Sequence, residues 1–296
     1  MSDTGALARR GDEKLDLANS IPFFASHLVA LAGPFFVEFS WKLVALAVIL
    51  YYVRMAGTTI GYHRYASHRS FKTSRAFQFV LAFWAQTSTQ KGFLWWAAHH
   101  RNHHKYSDGP QDIHSPKEGF WWSHVGWILC QKYAATAEIK DLSRFPELRF
   151  LNKFHLLPPV LLAVVLFLVG GAPALVWGFF VSTVLLWHGT FVVNSLNHIW
   201  GSRRYQTTDT SRNNAVLALI TMGEGWHNNH HHYQSSANQG FFWWEVDCSY
   251  YLIRLFEALG LVRDVRTPPE SIRNATIAAA AKAEEPEMGL AFPALE

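Results

Sequence analysis

Apolar and polar positions fall along this chain in long blocks, not in the alternation of strands. Residues 1–20 are polar, with Arg9, Arg10 and Lys14 mixed among acids, and lack the pattern of a cleaved signal peptide. The chain turns apolar over residues 21–37 and again over 41–61. A third run, 156–169, passes through Gly170-Gly171-Ala172-Pro173 into a fourth, 174–193. Several runs are shorter than the roughly 20 residues of an ideal membrane span. Two readings therefore compete, two membrane hairpins or the buried helices of a soluble protein. The connections favour hairpins. The turn at Gly170–Pro173 has no charge, and only Glu38 and Lys42 lie near the first turn. The segments 62–155 and 199–296 hold most of the Lys and Arg. The positive-inside bias then predicts both termini and both long segments in the cytosol, with two short turns outside.

Composition supports this division. Of 296 residues, 50% are hydrophobic and only 16% charged, against a usual charged share of about 25%. The mean hydropathy of +0.02 is too low for a chain that spans a bilayer from end to end, so a large water-facing part is expected. Thirteen Trp and 22 Phe add an aromatic load, and the stretch 119–129 is predicted to lie along the membrane face. The net charge of +4 is scattered among Trp and His and forms no basic stripe, which argues against nucleic acid. Two Cys, Cys130 and Cys248, give neither a disulfide framework nor a Cys-rich metal site. Arg54 interrupts the second apolar run. It is read either as a side chain snorkelling to the boundary or as a charge facing a cavity and an anionic part of a substrate.

The candidate chemistry lies in histidine. Ten of the 16 His fall in three clusters, His63 with His68, His99-His100 with His103-His104, and His227 with His230-His231-His232. The latter two contain H-x-x-H-H, whose members at i, i+3 and i+4 share one helical face, so three imidazoles are expected to converge on a point. His99 and His232 lie about 100° round the helix and are weaker candidates. His63 and His68, five apart, do not share a face on an ideal helix and need a helix end or a break between them. Asn194 and His198, at the end of the fourth run, stand at i and i+4 and can look the same way. Eight imidazoles plus His198 exceed the four ligands of a zinc site, so two metals are the economical count. A closed zinc site would be structural, an open one hydrolytic, and a pair of irons would activate oxygen. The membrane setting favours redox chemistry, since the methylenes of a lipid chain offer nothing to hydrolyse and no side chain supplies the oxidant.

At these residues the sequence resembles the integral-membrane fatty acyl desaturases of the stearoyl-CoA desaturase type, the short bacterial members above all. The resemblance rests on Gly61-Tyr-His-Arg-Tyr-Ala-Ser-His-Arg-Ser-Phe71, His100-Arg-Asn-His-His-Lys-Tyr-Ser-Asp108, Asn194-Ser-Leu-Asn-His198 and Gly223-Glu-Gly-Trp-His-Asn-Asn-His-His231, and runs over about residues 40–266. It implies an all-α integral-membrane fold of four transmembrane helices, two hairpins over 21–37, 41–61, 156–170 and 174–195. They lie under a cytosolic helical cap from 62–155 and 199–266, with a mobile tail at 267–296. The cap would hold two irons on His63, His68, His100, His103, His104, His198, His227, His230 and His231, with Asn194 reaching one metal through water. Gln90, Trp96 and Thr190 would mark the kink of a tunnel for the acyl chain. Glu224, Asp108 and Asp112 could accept from ligand N–H groups or be solvated turn residues, and stay outside the assignment. Where animal relatives carry an Arg-Asp pair that helps with the CoA head group, this chain has Ala98-His99, which leaves acyl-CoA, an acyl lipid or an acyl carrier protein open as carrier. No His-Pro-Gly-Gly signature of a fused heme domain is present, so a separate donor, a ferredoxin or a flavin reductase system, is expected. The implied activity is oxygen-dependent insertion of a cis double bond, at the ninth carbon, into a saturated long acyl chain in a bacterial inner membrane, with two external electrons and dioxygen as co-substrate. Two alternatives remain, a membrane di-iron hydroxylase and a non-catalytic membrane metal-binding protein.

Overall fold

The computed structural model describes residues 14–132 and 138–275. Most of the polar N-terminal segment 1–20, and the tail beyond 275, lie outside the described residues. The first apolar run forms α1 (Leu17–Ala32), closed by a 3-10 turn at Gly33–Phe35. The second forms α2 (Trp41–Gly57), started by the Ser40 hydroxyl accepting from the Leu43 N–H, as an N-cap requires. It does not stop at residue 61. A π-helical stretch over Thr58–Ser67 carries the same rod onward to the first histidine pair. A shorter pair follows, α3 (Arg75–Gln86) and α4 (Phe93–Tyr106). Then come α5 (Phe120–His124), α6 (Lys140–Ser143) and α7 (Pro146–Lys153).

The third and fourth runs form α8 (Leu157–Ala174), a second π-helical stretch at Leu175–Val181 and α9 (Ser182–Asn194). The rod is broken within α8. Gly170 (φ −138°, ψ 17°) and Gly171 (φ 63°, ψ −158°) leave helical geometry, and the second of these is a conformation that glycine tolerates and L side chains resist. The two legs fold back and pack on one another along α8 and 175–181. The remaining helices are α10 (Leu196–Ile199), α11 (Ala215–Ile220), α12 (His227–His232), α13 (Cys248–Ala258) and α14 (Glu270–Arg273), the last within the segment expected as a tail. A two-residue antiparallel ladder, Lys72–Thr73 with Val262–Arg263, ties the chain after the first histidine pair to the end of the cap. The described fold is otherwise helical.

Two rods, Trp41–Ser67 and Leu157–Ile199, are long and apolar enough to cross a bilayer, and the apolar helix over Ser20–Phe35 is shorter. Large apolar side chains stand exposed along these legs, among them Leu28, Leu31, Phe36, Leu168 and Val169 (84%). So much apolar surface in contiguous bands marks membrane association. Inside, Tyr51, Met55 and Ile60 of the second rod meet Leu186, Trp187 and Phe191 of α9, with Leu81 and Ile253 closing the cluster. A second core of Tyr62, Phe93, Leu148 and Leu151 joins the π-helical stretch to α4 and α7.

Arg54 follows neither expectation. It is 1% exposed, and its guanidinium donates twice to the Thr87 carbonyl (2.9 and 2.6 Å) and once to the Ser182 hydroxyl (2.9 Å). The charge is satisfied inside the protein and fixes the loop between α3 and α4 to the two rods. That loop holds Thr89 (φ 60°) and Lys91 (φ 71°) in left-handed conformations, a strain that only surrounding structure can maintain. The hydroxyl of Tyr62 donates to the Lys91 carbonyl (2.8 Å) and the Trp187 indole N–H to that of Ser88 (3.1 Å).

Candidate metal centre

The histidines of the three boxes meet in the cap, in a pattern different from the one their spacing predicts. Neither H-x-x-H-H converges on a single point. One set of ligand atoms comes from His63, His68, His100, His104 and His230, and another from His103, His198, His227 and His231. Each helical box is thus divided. From α4, His100 and His104 face one cluster and His103 the other; from α12, His230 joins the first, His227 and His231 the second. Residues i and i+4 are about 40° apart round a helix, but i and i+3 lie about 60° on the other side, and a second set of donors on that flank draws the intermediate imidazole away. His99 and His232 join neither cluster.

The pair five apart is explained by the π-helix. Its hydrogen bonds run from i+5 to i, and His68 N–H donates to the His63 carbonyl at 3.2 Å. The wider turn brings the two imidazoles to 4.7 Å between ring centroids, edge to face.

In the first cluster the Nε2 atoms form an arc. His63 to His230 is 3.0 Å, His230 to His104 3.0 Å, His104 to His100 2.9 Å and His100 to His68 3.0 Å. These contacts cannot be a chain of hydrogen bonds. A neutral imidazole nitrogen has either one N–H or one lone pair, whereas Nε2 of His100, His104 and His230 each has two such neighbours. Nitrogens about 2.1 Å from one cation and at right angles to each other are about 3.0 Å apart, and a tetrahedral set would be nearer 3.4 Å. The arc fits a cation with more than four positions. Burial first, then neighbouring imidazoles, push His100, His104 and His230 well below the ordinary imidazole pKa, so these rings are neutral donors.

The second cluster fits as well. His198 and His227 bring Nε2 to 3.2 Å. His231 turns Nδ1 to Asp209 at 2.6 Å and leaves a buried Nε2 with no hydrogen-bond partner among the described residues. Carboxylates stand behind ligands of both clusters and select the tautomer that presents Nε2. His103 Nδ1 is 3.0 Å from both oxygens of Asp112, His63 Nδ1 is 2.5 Å from Glu224, and His198 Nδ1 is 3.5 Å from Asp108 and 3.1 Å from the Thr210 hydroxyl. Burial alone would raise these carboxyls. Imidazole, hydroxyl and amide donors overcome it and hold Asp108 at about 2, with Asp112 and Asp209 lower still. Glu224 also faces Arg64 at 3.3 Å, and Arg64 in turn pairs with Asp247 at 2.9 Å. Glu224, Asp108 and Asp112 had equally good readings as solvated turns. No signal in the sequence marks Asp209, which lies 22 residues from the histidine it orients.

A cavity of about 380 Å³ leads to the first cluster. His100, Asn194, Gln90, Trp96 and Thr190 are among the residues that line it. Gln90 Nε2–H donates to the Thr190 hydroxyl (2.9 Å), which donates to the Leu186 carbonyl (3.1 Å), and the Trp96 indole N–H donates to Gln90 Oε1 (3.3 Å). Trp96 stacks between Tyr62 (5.2 Å) and His100 (4.8 Å). Trp187, Thr190, Phe191 and Asn194 of α9 all line this cavity, because i, i+3, i+4 and i+7 share a face.

A family model for fatty acid desaturases matches residues 39–254. A delta-9 acyl-lipid desaturase of Arabidopsis thaliana is 41% identical over 268 residues, 88% of this chain and 86% of the relative. An sn-1 stearoyl-lipid 9-desaturase of Synechocystis is 40% identical, over 90% of this chain and 86% of its own length. An acyl-CoA 5-desaturase of Anemone leveillei is 40% identical, over 82% and 77% respectively.

Proposed function

The chain belongs to the fatty acid desaturase family, and from that premise we propose that it inserts a cis double bond at the ninth carbon of a saturated long-chain acyl group. It is an oxidoreductase of lipid metabolism, a fatty acyl desaturase. The observation that supports the finer reading is that Gln90, Trp96 and Thr190 line one cavity together with His100 and Asn194.

Four apolar legs, α1, α2, α8 and 175–194, cross the membrane as two hairpins, with the cap and both termini on the cytosolic side of a bacterial inner membrane. His63, His68, His100, His104 and His230 would hold one iron, and His103, His198, His227 and His231 the other, with Asn194 reaching one of them through a water. When bound, the two irons supply with dioxygen and two external electrons the oxidising power that removing hydrogen from adjacent methylenes requires. The protein itself contributes placement. The Gln90–Thr190 bond and the Trp96 ring bend the chain where its methylenes pass the histidines, an orientation effect that decides which carbons react. Stacking of Trp96 between Tyr62 and His100 keeps water from that stretch. Asp209, Asp112 and Glu224 hold their imidazoles in the tautomer that ligates. A ferredoxin or a flavin reductase system delivers the electrons, and the acyl group arrives as acyl-CoA or on a lipid.

The test is double-bond mapping by gas chromatography and mass spectrometry of fatty acids from a desaturase-deficient host that expresses the chain. A new cis-9 monounsaturated acid is expected. Hydroxylated chains alone would select the hydroxylase reading, and unaltered lipids beside a metal-loaded protein would select the metal carrier.

A further inference from the structure

The exposed edge of the cavity lies between the α3–α4 loop and the starts of two apolar legs. Pro22, Lys91 and Leu156 are the exposed residues of its described lining and form its lip, the others being half-buried or buried. Pro22 lies in the second turn of α1, and Leu156 is the residue before α8. Both helices begin there, so the lip stands where two apolar legs enter the bilayer. The surface around it is apolar, with Ile21, Phe24, Phe154 and Leu157 exposed.

Two further observations bear on what enters. A shallow groove lined by Phe150, Lys153, Phe154 and Leu157 abuts the lip and shares His155 and Leu156 with the cavity. Among the described lining residues of the cavity, Lys91 carries the one fixed charge, and none is a carboxylate. Burial first, and then the nearby Lys91 ammonium, hold His155 below the ordinary imidazole value. Lys153, over the Phe154 ring at 5.4 Å, stands beside the groove. A tunnel and a groove that meet at one lip, flanked by two ammonium groups, match two acyl chains joined under an anionic head.

We infer that the substrate is a diacyl glycerophospholipid with an anionic headgroup, taken sideways from the leaflet on the metal side. One chain enters the tunnel, the other lies in the groove against Phe150, Phe154 and Leu157, and the phosphate sits between Lys91 and Lys153. This rests on the desaturase reading for what happens to the chain, but not for how it binds.

The experiment uses the full-length protein in nanodiscs with two photoreactive probes, phosphatidylglycerol and acyl-CoA, each carrying a mid-chain diazirine. Peptide mapping of crosslinks reads occupancy without turnover. Phosphatidylglycerol should label peptides containing Trp95 and Trp96 and the groove over 150–157. Leu156→Trp should abolish the Trp95/Trp96 labelling. Lys91→Ala and Lys153→Ala should each lower labelling by phosphatidylglycerol about 5-fold, the worth of about 1 kcal/mol per basic residue at an anionic surface. Labelling by a neutral galactolipid probe should not change in those variants. Phosphatidylglycerol crosslinks confined to the outer faces of α1, α2 and α8, with acyl-CoA alone reaching Trp95 and Trp96, would overturn the inference. In a parallel turnover assay with the donor supplied, desaturation of acyl-CoA but not of phosphatidylglycerol also overturns it and leaves the desaturase reading intact. Crosslinks in the tunnel without any double bond would sink that reading instead.

Discussion

The amide of His68 donates to the carbonyl of His63 across five residues, at 3.2 Å. This bond, at the end of the π-helical stretch over Thr58–Ser67, lets a spacing that an α-helix cannot use bring two imidazoles together. It also ties the pair to π-helical bonding. With the five-residue spacing kept, α-helical bonding would set the two imidazoles about 140° apart and turn one out of the cluster.

Membership of a cluster should separate severe from mild substitutions. His100→Ala and His230→Ala each remove one nitrogen of the arc, and both should abolish turnover and reduce bound metal measured by plasma emission spectrometry. His124 belongs to neither cluster. It bonds the Ser195 hydroxyl and His188, both at 2.9 Å, so His124→Ala should cost about 1–3 kcal/mol of stability and keep its metal. Equal loss of metal in all three variants, in stably inserted protein, would refute the division.

The carboxylates behind the ligands should act through metal affinity. Asp209→Asn keeps the shape but weakens the acceptor for His231, and Glu224→Gln does the same for His63. A loss of about 10–100-fold in metal affinity is expected for each, read by competition with a chelator. Variants that bind metal as the parent does would show these bonds to be incidental.

Acid should destabilise the metal-free protein. Unfolded imidazoles take up protons near pH 6.5, whereas buried His227 and His230 resist protonation until well below that. The unfolded chain then binds more protons below about pH 6.5, so stability is full above that value and falls as pH drops through it, by at most about 1.4 kcal/mol per pH unit for each proton. Thermal unfolding in detergent should show midpoints that are flat above about pH 7.5 and decline toward about pH 5. A flat profile throughout would mean that these rings are hydrated in the apo state.

Gly225 has a packing role that its motif position conceals. A Cβ there would run into the Ala218 amide nitrogen and the Asn214 carbonyl, and the Gly225 carbonyl accepts from the Asn214 N–H at 2.8 Å. Gly225→Ala should shift Glu224 and the start of α12, with a cost of about 1–3 kcal/mol and a lower metal content. Full metal content with unchanged thermal stability would contradict this.

The boxes were legible in the sequence because metal ligation constrains residue type and spacing together. Gln90, Trp96 and Thr190 carry no such spacing signal and entered only through the resemblance. They come together although 100 residues separate the first from the last. What spacing could not convey is which of two centres an imidazole serves, since that depends on what approaches each flank of α4 and α12. Asp209 escaped notice because a carboxylate that orients a ligand is bound to it only through space. Hydropathy registers the charge of Arg54 but not the Thr87 carbonyl that accepts from it.

The division of each helical box has a last consequence. His103 and His104 are covalent neighbours in α4 that serve different centres, and His230 and His231 do the same in α12. An ion that draws one neighbour into place orders the backbone that presents the other, so the second ion meets a site already formed and loses less conformational freedom on binding. Filling is then cooperative. Titrated with metal, the protein should pass from empty to doubly occupied with scant accumulation of singly loaded species, and native mass spectrometry would count them.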